Sequence, residues 1–582
     1  MGVSFEPPPR FRRRFLGAED RLTRIGRGEI GGKARGLARL QQIIAERLDA
    51  SRHPWAEVDI PAMCVLTTSA FDAFLERNAL RETALSGQTD ERITHAFLQA
   101  SLPVEIVGDL KALVDELRQP LAVRSSSLLE DALDRPLAGV YETKMIPNHQ
   151  PERDTRFGRL VDAVKFVFAS TFLESARAYR RAAGLQEQEE RMAVVLQEVV
   201  GARHGNRFYP HVSGVARSFN FFPVGRVRPE DGIVHLALGL GKTIVDGGVT
   251  WSYSPASPRI GPPFASAADL LRGTQTRFWA VNMGKPPTYS PMTETEFLVE
   301  EDLHEAELDG TLDLVASTYD PASDRLTPGT GRNGPRAITF APLLLLQEYP
   351  VADLLRDVLR SCEDALGGPV ELEFAMVLPR SRTDRVRLGL LQVRPMVGPE
   401  EAIEITPAEL VAPDVLLASH KAMGNGARDE IRDIVYVKPD TFKTHHTRAI
   451  AGEIERLNRE LADAARPYLL IGFGRWGSAD PWLGIPVVWS QIAGAAVIVE
   501  ATLPSLNVEP SQGSHFFHNL AAFRVPYLHV HHEAAPSIDW ERLGRMSPCT
   551  DLEYVRLVHL DRPLLVKVDG RRGIGVIRLE GT

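Results

Sequence analysis

Short β-branched strands alternate with amphipathic helical stretches along most of the chain, and this alternation is the feature that most restricts its fold. Segments such as MAVVLQEVV (192–200) and VELEFAMVL (370–378) read as buried strands. IGRGEIGGKARGLARLQQIIAERL (25–48) repeats apolar residues at helical spacing through Leu37, Leu40, Ile44 and Leu48. Mixed strands and helices exclude an all-helical bundle or an all-β sandwich and point to an α/β (α+β) architecture. With 582 residues, one core is too small; at about 150 residues per unit, three or four units are expected.

Charge and cysteine content narrow the function. Sixty-seven Lys and Arg against 76 Asp and Glu give −9, so no global basic field exists for nucleic acid or an anionic membrane. Cys64, Cys362 and Cys549 are too few and scattered for a disulfide framework or a thiolate metal site, and a reducing cytoplasm is the natural setting. Arg12, Arg13 and Arg14 have no apolar stretch behind them, so the start reads as a solvated tail over 1–24. The longest apolar run, 483–501, is broken by Pro486, Ser490 and Gln491; it reads as two buried strands and a turn, not a membrane span.

Between about 205 and 340 the pattern is of short strands broken by Gly and Pro, and 317–334 reads as a loop or mobile connection. Prolines 395 and 399 with the acidic residues that follow place a boundary near 400. Two familiar motifs fail. GLGKT (239–243) has Leu236 where a phosphate-binding Walker loop needs glycine. GFGRWG (472–477) follows a strand but runs into prolines rather than the helix a dinucleotide site requires.

Three separated pieces carry better chemistry. Gly31-Gly32-Lys33 opens a helix, where backbone N–H groups and an ammonium suit an anion, although a surface turn with a solvated lysine fits as well. Arg124, with Ser125, Ser126 and Ser127 at a strand end, suits bidentate phosphate contact; pairing with Glu130 or Asp131 is the plain alternative. Glu371 and Glu373 lie two apart on a strand and so face one side, with Gln392 on the next strand. Mg²⁺ carried by nucleotide phosphates would relieve their repulsion, as would an exposed face balanced by basic residues.

In this order the pieces resemble the nucleotide-binding N-terminal domain of phosphoenolpyruvate synthase and pyruvate phosphate dikinase. The resemblance spans about 25–398 and is carried by IGGKARGLARL, VDIPAMCVLTTSAFDAFL, LAVRSSSLLEDALDRPLAGVYET, MAVVLQEVV, SGVARS, LALGLGKTIVDGGVT, VELEFAMVL and LLQVRPM. It implies an ATP-grasp fold with ATP and Mg²⁺ between two lobes, about 25–190 and 191–398, and a separate C-terminal α/β domain over 399–582. It further implies that Lys33 and Arg124 contact phosphate, Glu371 and Glu373 hold Mg²⁺ and nucleotide, and Gln392 lies beside them. Gly139 would belong to the loop covering the phosphates, and Gln197 or Glu198 would make polar contacts near adenine. Lys242 departs from an acidic residue expected in the family, as do Pro136 and Leu137 from a Ser-Phe pair in the covering loop.

The family's phosphohistidine signature is absent, and about 180 residues after 400 are too few for a swivelling domain plus a barrel of about 250. The expectation is therefore an ATP-dependent phosphotransferase of pyruvate, water dikinase type. Its acceptor is unidentified: His515, a histidine on a partner protein, or a small molecule. An ATP-sensing module with little turnover is the alternative. His515, after Gly513-Ser514, is the candidate acceptor within the chain, against a hydrogen-bonded structural histidine. Arg475 in its glycine-rich turn is a possible anion binder, and His515, His518, His529, His531 and His532 a possible metal set.

Overall fold

The computed structural model describes residues 7–13, 21–128, 130, 139–182, 190–264, 266–379, 381, 383–396, 403–510 and 512–579. Alternate residues of the strands divide the first half of the protein into two cores. In Met63–Leu66, Met63 and Val65 join one cluster, while Cys64 and Leu66, on the opposite face, join the second. Strand Met192–Glu198 splits in the same way, with Ala193 and Val195 opposed to Met192, Val194 and Leu196. This period of two is what a sheet covered on both faces requires.

That sheet has five strands in the order Leu22–Ile25, Met63–Leu66, Met192–Glu198, Leu121–Ser127, Thr143–Ile146. One face is covered by helices Thr68–Arg77, Asp90–Gln99, Val104–Glu116 and Arg153–Ser170, through a cluster that includes Phe71, Phe74, Phe97 and Phe168. The other face packs on helix Gly31–Arg47, which buries Ala34, Leu37, Leu40 and Ile43. The same cluster continues into a second, six-stranded sheet, so this helix lies between the two.

The second sheet runs Trp251–Tyr253, Ile233–Ala237, Val212–Arg217, Val370–Val377, Val386–Pro395, Ala56–Asp59. A division at 190 does not separate the sheets. Ala56–Asp59 pairs in parallel with Val386–Pro395, and Met192–Glu198 is the middle strand of the first sheet. The segment expected as a loop at 317–334 is instead largely paired. Ala316–Asp320 pairs with Arg325–Pro328 and with Arg336–Ile338. Pro321, Asp324, Gly329 and Gly331 lie in the turns, while Thr318, Tyr319, Leu326 and Thr327 are among the residues that supply the strands.

The rest of the chain builds a seven-stranded sheet whose four central strands, Tyr527–Val530, Ala495–Ala501, Tyr468–Phe473 and Asp433–Val437, are parallel. Parallel neighbours need crossovers, and helices Thr447–Asp463 and His515–Ala522 lie in two of the connections. Their core also takes in Phe221 and Phe222 from the second sheet's side of the protein. Burial raises the Glu500 carboxyl to about 7, against hydrogen bonds from the Tyr527 hydroxyl at 2.6 Å and the Trp476 N–H at 2.8 Å. A raised acid favours the folded state below its unfolded value near 4.5 and loses that advantage as pH climbs through about 7. Glu500→Gln is therefore expected to gain stability relative to the parent at pH 8, by about 3 kcal/mol, and little at pH 4.5, measured by chemical denaturation.

Candidate active site

Arg124 emerges near the middle of Leu121–Ser127 and spans the gap between the sheets. Its guanidinium donates to the Leu391 carbonyl at 2.9 Å, to Gln392 Oε1 at 3.0 Å and to Gln197 Oε1 at 3.3 Å, and lies 3.6 Å from Glu373. A cavity of about 310 Å³ opens around it. Lys33, Arg124, Gly139, Gln197, Glu198, Glu373, Gln392 and His515 all line this cavity. Five stretches far apart in sequence thus share one cleft of the size that small-molecule sites commonly have.

The first turn of helix Gly31–Arg47 delivers Lys33, whose Nζ lies 3.2 Å from Glu130 Oε1. Gly31 and Gly32 do not line the cavity. A Cβ on Gly31 would fall 1.7 Å from the Ser126 carbonyl oxygen, and one on Gly32 would fall 1.5 Å from that of Glu130. Their smallness lets the helix seat directly on the strand, which aims Lys33. The three serines also turn inward. Ser125 donates to Glu130, Ser126 donates to the Ile30 carbonyl, and Ser127 accepts from the Glu130 N–H. They brace Glu130 and the helix start, and all three are buried.

Glu371 and Glu373 share a strand face, yet only Glu373 reaches the cleft. Glu371 is 1% exposed and is held by Arg217 and Arg394, whereas the Glu373 carboxylate is 3.2 Å from Arg394 and faces the cavity. Burial opposes the Glu371 charge, but the two arginines outweigh it and keep its pKa far below the usual carboxylate range. Lys242 also lines the cleft. Burial disfavours its charge, while Asp246 at 2.9 Å and Glu294 at 3.0 Å more than restore it. Burial next to Glu294 raises the Glu142 carboxyl in the same wall to about 7. Pro136 and Leu137 lie outside the described residues.

His515 is the first residue of helix His515–Ala522, capped by Ser514. Its ring rests against Gly139, where a Cβ would stand 2.4 Å from Nδ1. Desolvation, with Arg394 nearby, lowers its pKa to about 4, so the imidazole is neutral at physiological pH. Arg475 serves a different purpose from the anion site expected of it: it donates to the carbonyls of Gly247, Gly248 and Glu509, which fastens the C-terminal region to the second sheet's side of the cleft. The five histidines do not gather. His518 lies beside Glu371, His529 bonds the Val508 carbonyl, and among the described residues only His531 and His532, with Glu533, form a close trio of potential metal ligands.

Sequence reasoning quoted Arg394 in its motif but assigned it no role, and it missed Glu142, Glu294 and Arg217. Arg394 had a signal, since it stands two residues beyond Gln392 and so points to the same side. Arg217 had none, because its partner Glu371 is 154 positions away.

The fold is mixed α/β with a polar cleft between its sheets, and comparison with known proteins gives the family. Residues 27–409 match the pyruvate phosphate dikinase AMP/ATP-binding domain, and the chain belongs to that family. It is 29% identical over 243 residues to phosphoenolpyruvate synthase of Aeropyrum pernix, covering 38% of this chain and 26% of that protein. It is 28% identical over 194 residues to the uncharacterized phosphotransferase YvkC of Bacillus subtilis, covering 33% and 20%. Rifampicin phosphotransferase of Streptomyces sviceus is 27% identical over 225 residues, covering 38% and 23%. The chain thus spans about a quarter of the length of these curated relatives. No helix among the described residues is long and apolar enough to cross a membrane.

Two substitutions test this geometry. Gly31→Ala, at φ +77° against the Ser126 carbonyl, is expected to cost about 3 kcal/mol or more in denaturant unfolding. Gly139→Ala, at φ +64°, is expected to displace the His515 ring and bring its pKa up from about 4 towards 6.5, read by NMR titration.

Proposed function

We propose that the chain is an ATP-dependent phosphotransferase of the pyruvate, water dikinase type that binds ATP with Mg²⁺ in this cleft, and that His515 receives the phosphoryl group. The observation that supports the reading most is the composition of the cleft. Lys33, Arg124, Lys242 and Arg394 line it as cations, Glu373 stands among several carboxylates of the wall, and His515 enters as a neutral imidazole. Phosphoryl transfer asks a protein mainly for positioning and charge neutralisation, and these groups supply both.

Lys33 and Arg124 bind phosphate oxygens, Gln392 holds Arg124 in place, and Gln197 with Glu198 offers polar contacts to the base or ribose. Glu373 fits a Mg²⁺ site, since Mg²⁺ takes one or two carboxylates together with phosphate oxygens; the ion would supply further charge neutralisation. A lone pair on the His515 ring forms the N–P bond while the P–O bond to the departing nucleotide breaks, leaving that nucleotide with the electron pair. The lowered pKa of His515 keeps the lone pair available without a general base at neutral pH. A small molecule or a partner histidine would then take the phosphoryl group onward.

Incubation with ATP labelled at the β or γ phosphate and Mg²⁺ tests the reading. Acid-labile label on the protein, abolished in His515→Ala and reduced at least a hundredfold in Arg124→Met, is expected. ADP as product marks a single transfer and AMP a dikinase. Tight binding with neither product nor label would contradict the transferase reading and favour an ATP sensor.

A further inference from the structure

Beneath the cleft wall, three side chains on adjacent strands of the second sheet, Arg217, Glu371 and Arg394, make a buried ion-pair cluster. Glu371 Oε1 accepts from Arg394 Nε at 2.6 Å, and Oε2 accepts from Arg217 Nε at 2.5 Å. Each arginine also places a terminal nitrogen on the same carboxylate. Two guanidinium forks fill the acceptor positions of a single carboxylate, so a cation could be bound only by displacing an arginine within a dry interior. On the cleft side, Arg394 reaches Glu373 at 3.2 Å. On the far side the cluster is covered by helix His515–Ala522: the Arg217 guanidinium lies 5.3 Å from the Phe517 ring centre, and His518 Nδ1 is 3.9 Å from Glu371.

We propose that Glu371 is a positioning residue that holds Arg394 towards the phosphates and Glu373, with its far side pinned by the C-terminal helix, and that it does not ligate the cation. This rests on the ATP·Mg²⁺ reading above. The paired glutamates then have separate tasks: Glu373 meets the ion and Glu371 orients the arginine. The helix that brings His515 to the cleft is the one that backs this cluster, so docking of the C-terminal domain and orientation of Arg394 are one event. Arg394 is fixed between two carboxylates before nucleotide arrives, which avoids ordering a long side chain on binding.

Mn²⁺ in place of Mg²⁺ separates the two tasks, because its binding in the presence of saturating ATP is read directly by electron paramagnetic resonance. Glu373→Gln is expected to weaken Mn²⁺ at least tenfold. Glu371→Gln is expected to leave Mn²⁺ affinity within twofold while ATP affinity falls about tenfold. Because Glu371→Gln strands two buried arginines, the Arg217→Gln, Glu371→Gln pair, which removes one charge of each sign, is measured beside it with the same expectation. Mn²⁺ loss matching that of Glu373→Gln, or unchanged ATP affinity in both Glu371 variants, overturns the proposal while leaving the ATP reading intact. Failure of the parent protein to bind Mn²⁺ and ATP together overturns both.

Discussion

The contact on which the site depends is the reach of Arg124 from one sheet to the other. Its guanidinium joins the first sheet to the Leu391 carbonyl and Gln392 of the second across a polar gap. The buried core around helix Gly31–Arg47 sets the spacing of the two sheets, and the Arg124 bridge adds a polar tie between them at the level of Lys33 and Glu373. A planar fork with five donors can bind backbone and side chains on one edge and still present N–H groups to phosphate, which a lysine there could not.

Close packing aims these groups. Gly31 and Gly32 press the helix start onto the Ser126 and Glu130 carbonyls, and the serines brace Glu130 against Lys33. The C-terminal region completes the enclosure. Arg475 fastens it to Gly247 and Gly248, Phe523 lies 4.6 Å from Tyr179, and helix His515–Ala522 closes over Arg217 and Glu371. His515 is therefore part of the wall of a cleft formed by residues more than a hundred positions away.

Much of this was legible in the sequence where local rules govern. The buried strand in MAVVLQEVV, the helix opened by Gly31-Gly32-Lys33 and the failure of GFGRWG as a dinucleotide turn all follow from local composition, spacing and chemistry. What was not legible depends on long-range partners. Alternation puts Glu371 and Glu373 on one face, but only the distant Arg217 and the C-terminal helix determine that Glu371 is sealed in. The strands around 316–328 were hidden by their turn residues, and the exchange of Ala56–Asp59 and Met192–Glu198 between halves of the chain is a matter of topology, which spacing does not encode.

The central claim is that one nucleotide is gripped jointly by the two sheets and the C-terminal helix. Hydrogen–deuterium exchange with and without ATP and Mg²⁺ addresses it directly. The account predicts that protection rises together, at the same ATP concentration, in peptides covering 31–40, 121–127, 370–395 and 513–522. Protection confined to the first three, with 513–522 unchanged at saturation, would contradict it.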